Sequence, residues 1–173
     1  MLVAPESVVR LRPGTMADLD SLLALERSVF TTDVLSRRSF RRFLNAPNAA
    51  TIVAHQEGRI AGYALVLFRP GSAVARLYSI AVSVEDAGRG IGAMMLAAAE
   101  DVARRRGCEI LRLEVHEHNA AALKRYRKSG YQEFGTRGDY YEDGGNALRF
   151  EKQIAQSSTV RNISTSPASS IAG

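Results

Sequence analysis

The chain has 173 residues, of which 46% are hydrophobic and 24% are charged, and its formal net charge is +5. This length is typical of one domain with one core, and no apolar run approaches the roughly 18 residues of a membrane span. The segment 1–14 lacks the apolar centre of a secretory signal peptide. The single cysteine, Cys108, excludes an internal disulfide framework and fits a cytoplasmic location. The basic charge favours anionic partners, either nucleic acid or a phosphorylated cofactor.

Periodicity predicts a mixed order of strands and helices. In the first helix, Thr15 is a candidate N-cap and Glu26 a candidate member of the apolar face. In the second, Ser36 is the candidate cap, and Phe40 and Phe43 share one face. The predicted elements are a strand at 8–13, helices within 14–30 and 35–47, strands at 51–55 and 60–68 around the turn QEGR, a strand at 74–84, a helix at 90–106, a strand at 108–118, a helix at 119–130, and two strands around the turn EDGGN.

The order βααβββαβαββ predicts an α/β domain over 1–154, with one mixed sheet and helices on both faces. The composition changes after Ile154. Residues 155–173 are rich in serine and threonine, with too little apolar content to pack, and we predict a disordered tail there.

Three glycines within five positions, Gly88, Gly90 and Gly92, precede an alanine-rich helix. Glycines before a helix N-terminus suit phosphate binding, because free backbone N–H groups point outward and no Cβ blocks the approach. A nucleoside-triphosphate loop is excluded, since no Lys-Ser/Thr pair follows. A dinucleotide fingerprint fits Gly88, Gly90 and Ala93. However, about eighty residues with a hairpin precede it, and too little chain remains for a Rossmann sheet and a substrate domain.

Coenzyme A is the third candidate. The segments LYSIAVSVEDAGRGIGAMML (77–96) and LRLEVHEHNAAALKRYRKSGY (111–131) resemble the two central motifs of the GCN5-related N-acetyltransferases, the GNAT family, and especially those of RimI-type protein N-terminal acetyltransferases. The resemblance implies a mostly antiparallel mixed sheet of about six or seven strands with about four flanking helices, and acetyl-CoA as co-substrate without a metal. The first position of the family's loop is usually polar and is Ala87 here, so we expect Arg89 to supply the charge.

The resemblance also implies the residues that hold the cofactor. The backbone of Ile80, Ala81 and Val82 would bind the pantetheine arm, although this segment is also a plausible buried strand in its own right. Asn119 would contact the pantetheine, and it already has a structural reason to exist as an N-cap. The loop around the pyrophosphate would comprise Gly88, Arg89, Gly90, Ile91, Gly92 and Ala93.

Acetyl transfer needs a neutral amine, a stabilised oxyanion and a proton for the departing thiolate. By resemblance, Tyr126 is the acid, and it lies two helical turns after Asn119; the alternative is a core aromatic. Glu114 matches the RimI-type base, and the alternative is a solvated strand carboxylate. An α-amine, whose pKa is about 8, needs less help from a base than a lysine does. This weak base therefore favours N-terminal acetylation.

Several other side chains have two interpretations. Tyr140 and Tyr141 match a tyrosine pair that lines the acceptor groove of RimI-type enzymes, or they are aromatics beside a turn. His116 and His118 lack a third ligand at a suitable spacing, so solvent-exposed histidines are favoured over a metal site. The basic clusters at 36–42 and 104–106 lack interleaved aromatics, and we expect solvated helix faces without stable nucleic-acid binding.

We therefore expect a cytoplasmic, non-membrane acetyl-CoA-dependent N-acetyltransferase, either a monomer or a homodimer. It would transfer acetyl directly to a protein or peptide α-amine. The alternatives are a GNAT enzyme for a small amine (amino acid, polyamine or aminoglycoside) and a non-catalytic coenzyme A-binding module. Cys108 precedes its strand, away from the expected site, which disfavours an acyl-enzyme.

Overall fold

Seven strands and four α-helices form the part of the chain that the computed structural model describes, residues 7–155. The predicted tail therefore lies outside the described residues, except for Ala155. The strands are β1 (Arg10–Pro13), β2 (Ala49–Gln56), β3 (Arg59–Leu67), β4 (Val74–Val82), β5 (Ile110–His116), β6 (Gln132–Arg137) and β7 (Ala147–Gln153). The helices are α1 (Leu19–Val29), α2 (Arg37–Asn45), α3 (Ile91–Arg105) and α4 (Ala120–Lys128).

The strands form one sheet in the order β1-β2-β3-β4-β5-β7-β6, and only the β4–β5 pair is parallel. Two apolar clusters cover its two faces. One is formed by α1 and α2 against β2 and β3, and the other by α3 and α4 against the central strands. The predicted fold class, a mostly antiparallel mixed sheet with helices on both faces, is confirmed. Within residues 7–155, no helix combines the length and apolar character needed to cross a membrane.

Local sequence signals fix most helix ends as predicted. Ser36 caps α2 by accepting a hydrogen bond from the Ser39 amide at 3.1 Å, and Asn119 caps α4 by accepting one from the Ala122 amide at 3.1 Å. Gly130 follows α4 with φ of 90°, a left-handed conformation that favours glycine.

Thr15 is an N-cap as predicted, but it caps a short 3-10 helix at Met16–Asp18 that leads into α1 at Leu19. Several other predicted boundaries were wrong. β4 ends at Val82 because Val84–Asp86 forms another 3-10 helix. The last two strands are joined by a nine-residue connection at 138–146, not by the turn EDGGN alone, so Tyr140 and Tyr141 lie in a loop.

The parallel pairing of β4 and β5 is short. It covers three residue pairs and ends at Arg76 and Arg112, although both strands continue. Two residues further along β4, the pairing with β3 shifts register, which leaves Tyr78 as an extra residue. Such a bulge bends its strand and increases the local twist. The bulge therefore accounts for the divergence of β4 from β5 after Arg76.

Glu26 lies on the buried face of α1, as its helical spacing predicted. The residue is only 1% exposed, so its carboxylate lies in the core. One oxygen accepts a hydrogen bond from the Leu35 amide at 2.9 Å, and the other accepts one from the Tyr63 hydroxyl. The Tyr63 hydroxyl also hydrogen bonds to Ser79 of β4 at 2.7 Å. Glu26 therefore ties the α1–α2 connection and α1 to β3 and β4.

The buried Glu26 carboxyl predicts a pH-dependent stability. Burial raises its pKa above the usual value, against the opposing effect of its two hydrogen bonds. The folded protein therefore binds this proton more tightly than the unfolded chain, so stability falls as pH rises from the unfolded pKa through the folded pKa. Glu26→Gln removes this titration. We expect calorimetry to show that the Tm of Glu26→Gln minus the Tm of the wild type increases by about 2–4 °C between pH 4 and pH 7.5. This increase corresponds to about 1 kcal/mol of unfolding free energy.

The control for this prediction is Glu109→Gln, which removes an exposed carboxylate just before β5. Its Tm should follow the wild type at every pH. Parallel pH curves for Glu26→Gln and the wild type would contradict the raised pKa.

Candidate active site

The divergence of β4 from β5 leaves backbone groups of β4 without a strand partner. The Ser83 amide donates to the Ala61 carbonyl of β3 at 2.8 Å, so Ser83 directs its backbone toward β3. Alternate residues of a strand direct their backbone groups to the same edge. Ala81 therefore faces β3, whereas Ile80 and Val82 direct their N–H and C=O groups into the gap beside β5. Of the three residues expected to bind pantetheine, two are available in this way.

The glycine loop ends at the N-terminus of α3. Gly88 and Gly90 have φ of 78° and 80°, and an added Cβ would meet nothing within 4 Å at either position. Both positions therefore favour glycine because of their left-handed backbone conformation, and both lie beside open space. The first amide to donate within α3 is that of Met94, to the Gly90 carbonyl at 3.1 Å. The N–H groups of Ile91, Gly92 and Ala93 are thus the amides that a helix N-terminus offers to an anion.

A buried carboxylate holds the base of this loop. Asp86 is 1% exposed and accepts hydrogen bonds from Arg59 at 2.7 Å and from Arg89 at 2.8 Å. These hydrogen bonds lower the pKa of the Asp86 carboxyl, that from Arg59 most strongly. Arg89 also donates to Gln56 at 3.1 Å. Nη1 of Arg89 is therefore bound to Asp86 and to Gln56 of β2, while the side chain is 43% exposed. Neither Asp86 nor Arg59 was identified from the sequence.

A second guanidinium lies at the start of α3. A Cβ built on Gly92 would lie 2.9 Å from Nη1 and 3.2 Å from Cζ of Arg125, an exposed residue of α4. A side chain at position 92 would therefore displace this exposed guanidinium from the start of α3. No local sequence signal predicts the contact, since Arg125 is one of several basic residues in KRYRK.

Tyr126 is buried on α4 and packs edge-on against Tyr131, with ring centroids 5.7 Å apart. Burial raises the pKa of its hydroxyl to about 12, and the nearby charge of Arg125 opposes the rise. Tyr126 therefore stays protonated throughout the usual assay range and can act as a proton donor. It belongs to the core cluster of α3 and α4, as the core-aromatic alternative also required.

Glu114 lies on the opposite face of β5 from Leu113 and Val115, which are buried in that core cluster. Its side chain is 7% exposed. Oε2 accepts a hydrogen bond from Arg76 at 3.0 Å, whereas Oε1 lies 3.7 Å from Nε of Arg149, beyond hydrogen-bond range. Glu114 is therefore an ion-paired carboxylate with one oxygen still able to accept, not a freely solvated one. Neither arginine was identified from the sequence.

The predicted tyrosine pair lies near Glu114. Arg76 donates a hydrogen bond to the Tyr140 hydroxyl, which links the 138–146 loop to the ion pair. Tyr141 contacts Tyr140 and also His116, each with ring centroids 4.9 Å apart. His116 hydrogen bonds to Asp143 at 2.8 Å.

The two histidines differ in their surroundings. The His118 side chain is 82% exposed, as expected, but the His116 side chain is only 24% exposed because Tyr141 and Asp143 pack on it. The expectation of two solvent-exposed histidines was therefore wrong for His116. In the described part of the chain, no group of three potential ligands is placed to hold a metal ion.

The sheet face that carries Glu114 of β5 and Arg149 of β7 lies opposite to the core cluster of α3 and α4, and we infer the acceptor groove over this face. One wall of this groove is the 138–146 loop. The other wall is the α1–α2 connection, which meets that loop through hydrogen bonds from the Asp33 amide to Glu142 at 3.3 Å and from the Glu142 amide to Asp33 at 3.4 Å. Tyr126 belongs to the core cluster on the other face of the sheet, with Leu113 and Val115 of β5.

Comparisons with known proteins agree with this geometry. Residues 19–131 match the acetyltransferase (GNAT) family. The chain belongs to this family. An N-alpha-acetyltransferase RimI from Mycobacterium tuberculosis is 34% identical over 134 residues, which are 76% of this chain and 83% of that protein. A streptothricin acetyltransferase from Streptomyces lavendulae is 31% identical over 108 residues, 60% of this chain and 57% of that protein.

A solved structure shares the fold. The ribosomal-protein-S18-alanine N-acetyltransferase from Escherichia coli has a TM-score of 0.79 at 24% identity, over 88% of this chain and 98% of that chain. As a GNAT enzyme, this protein is an acetyl-CoA-dependent N-acetyltransferase. The unpaired edge of β4 and the open glycine loop fit acetyl-CoA, which supplies the activated acetyl thioester.

Proposed function

We propose that this acetyltransferase modifies the N-terminal α-amine of a protein or peptide. The observation that carries the proposal is the largely buried carboxylate of Glu114 on β5, which is ion-paired with Arg76, the residue after which β4 and β5 diverge. In this proposal an extended peptide terminus reaches Glu114 beside the α1–α2 connection and the 138–146 loop. The 34% identity to an N-alpha-acetyltransferase supports the same acceptor.

Charges at the mouth of the groove support a cationic acceptor. Asp33, Glu142 and Asp143 lie on its two walls and are largely exposed. Acidic groups at the entrance raise the local concentration of an ammonium group. The α-ammonium has a pKa of about 8, so a modest base suffices to deprotonate it near neutral pH.

In the proposed mechanism, backbone groups of Ile80 and Val82 orient the pantetheine arm and polarise the thioester carbonyl. The amides of Ile91, Gly92 and Ala93 hold the pyrophosphate, and Asn119 contacts the pantetheine. Oε1 of Glu114 accepts the amine proton, directly or through a water. The amine nitrogen bonds to the thioester carbonyl carbon, the C–S bond of the tetrahedral intermediate then breaks, and Tyr126 donates its phenolic proton to the departing coenzyme A thiolate.

Transfer in this mechanism is direct. Cys108 is buried at the N-terminal end of β5, the end where β4 and β5 still pair and opposite to the gap. Burial also raises the pKa of its thiol, which disfavours the reactive thiolate. An acyl-enzyme on Cys108 is therefore not part of the proposal. A small-molecule amine is the second candidate acceptor, because of the similarity to a streptothricin acetyltransferase.

The acceptor class can be tested with paired peptides. One peptide has a free α-amine and no lysine, and its partner has a blocked α-amine and one lysine. We expect at least a tenfold higher kcat/KM for the free α-amine, measured by coenzyme A release and confirmed by the mass of the acetylated product. Streptothricin, a polyamine and an amino acid complete the panel. A small amine that exceeds every peptide in kcat/KM would overturn the proposal in favour of the second candidate.

The roles of Tyr126 and Glu114 can be tested through kcat. Tyr126→Phe should lower kcat tenfold or more, because no proton reaches the thiolate, while the Kd of acetyl-CoA changes less than about twofold. Glu114→Gln should lower kcat/KM for the acceptor by a comparable factor. Because the pKa of Tyr126 is about 12, the pH–rate profile should show no descending limb from this group below about pH 11.

The matched control is Glu151→Gln, which removes a carboxylate from the same face of the sheet. Glu151 pairs with Arg112 at 2.7 Å and not with Arg76. Its kcat should remain within about twofold of the wild type. If Tyr126→Phe has the same kcat as the wild type, Tyr126 is not the proton donor and its role is purely structural.

A further inference from the structure

The glycine loop has little positive charge of its own to offer a pyrophosphate. Ala87 stands where the family usually has a polar side chain, and Arg89 is bound to the buried Asp86 and to Gln56. Asp86 is shared between Arg59 and Arg89, so part of the positive charge at the base of the loop is already paired. A further cation would strengthen the hold of the backbone amides on two phosphate charges.

Arg125 is placed to be that cation. Its guanidinium lies against Gly92, in the first turn of α3, where the helix amides point outward. Within residues 7–155 it forms no ion pair, whereas its neighbour Arg127 pairs with Glu133 at 3.5 Å. An arginine fork presents several N–H donors in one plane and binds phosphate oxygens in pairs.

We propose that Arg125 binds the pyrophosphate of acetyl-CoA and completes the phosphate site that the glycine loop leaves short of charge. Gly92 then has two functions, since it offers its amide to the phosphate and leaves room for the guanidinium. Because Arg125 immediately precedes Tyr126 on α4, the contact also fixes the helix that carries the acid relative to the bound cofactor.

The inference rests on the loop assignment in the proposed function, but it does not depend on the acceptor. Its test is therefore a binding measurement without any amine. Isothermal titration calorimetry compares acetyl-CoA binding to the wild type, Arg125→Gln and Arg125→Lys. Lys128→Gln is the control, because it removes one exposed positive charge from the same helix, one turn C-terminal to Arg125.

Arg125→Gln should weaken acetyl-CoA binding about tenfold to hundredfold, the usual effect of losing a charge-assisted hydrogen bond. Arg125→Lys keeps the charge without the fork and should fall between Arg125→Gln and the wild type. Lys128→Gln should stay within about twofold of the wild type. The same loss should appear with 3′-dephospho-coenzyme A, since the proposed contact is to the pyrophosphate.

Two results would overturn the inference. Equal Kd values for Arg125→Gln and Lys128→Gln would show that Arg125 contributes only general charge. A loss seen with coenzyme A but absent with the 3′-dephospho form would place Arg125 at the 3′-phosphate and not at the pyrophosphate. If the wild type itself fails to bind acetyl-CoA, the loop assignment fails, which is a different outcome from either of these.

Discussion

The divergence of β4 from β5 after Arg76 is the constraint on which the rest of the site depends. Three parallel residue pairs hold the two strands together, and the extra residue Tyr78 then bends β4 away. The resulting gap joins the two faces of the sheet. One face carries Glu114 and the groove, and the other carries α3, α4 and Tyr126. A sheet closed between these strands would separate the candidate base from the candidate acid and leave no backbone edge for pantetheine.

Hydrogen-bonded carboxylates that join distant parts of the chain hold the borders of this gap. Asp86 fixes the glycine loop to β3 through Arg59, Glu26 fixes the α1–α2 connection to β3, and Arg76 links β4 to Glu114 and to the 138–146 loop. Each carboxylate is largely buried and retains hydrogen bonds, as buried charges require. Buried carboxylates in this domain therefore position the elements that surround the reaction.

Features that depend on neighbouring residues could be predicted from the sequence. Local spacing predicts the caps at Ser36 and Asn119 and the glycine loop before α3. It also predicts the side of β5 on which Glu114 lies. Contacts between distant residues could not be predicted in this way. Arg76 and Glu114 are 38 positions apart, and Arg59 and Asp86 are 27 apart. Arg125 and Gly92 meet only because α4 packs beside the start of α3, and no local pattern separates Arg125 from its basic neighbours.

We propose above all that the free edge of β4 receives acetyl-CoA. Amide hydrogen exchange followed by NMR tests it most directly, because it reports single backbone N–H groups. The Ile80 and Val82 amides should exchange rapidly in the free protein and become protected at saturating acetyl-CoA. The Ala81 amide should be protected in both states, because it faces β3. Unchanged exchange at Ile80 and Val82 when acetyl-CoA is bound would contradict the account.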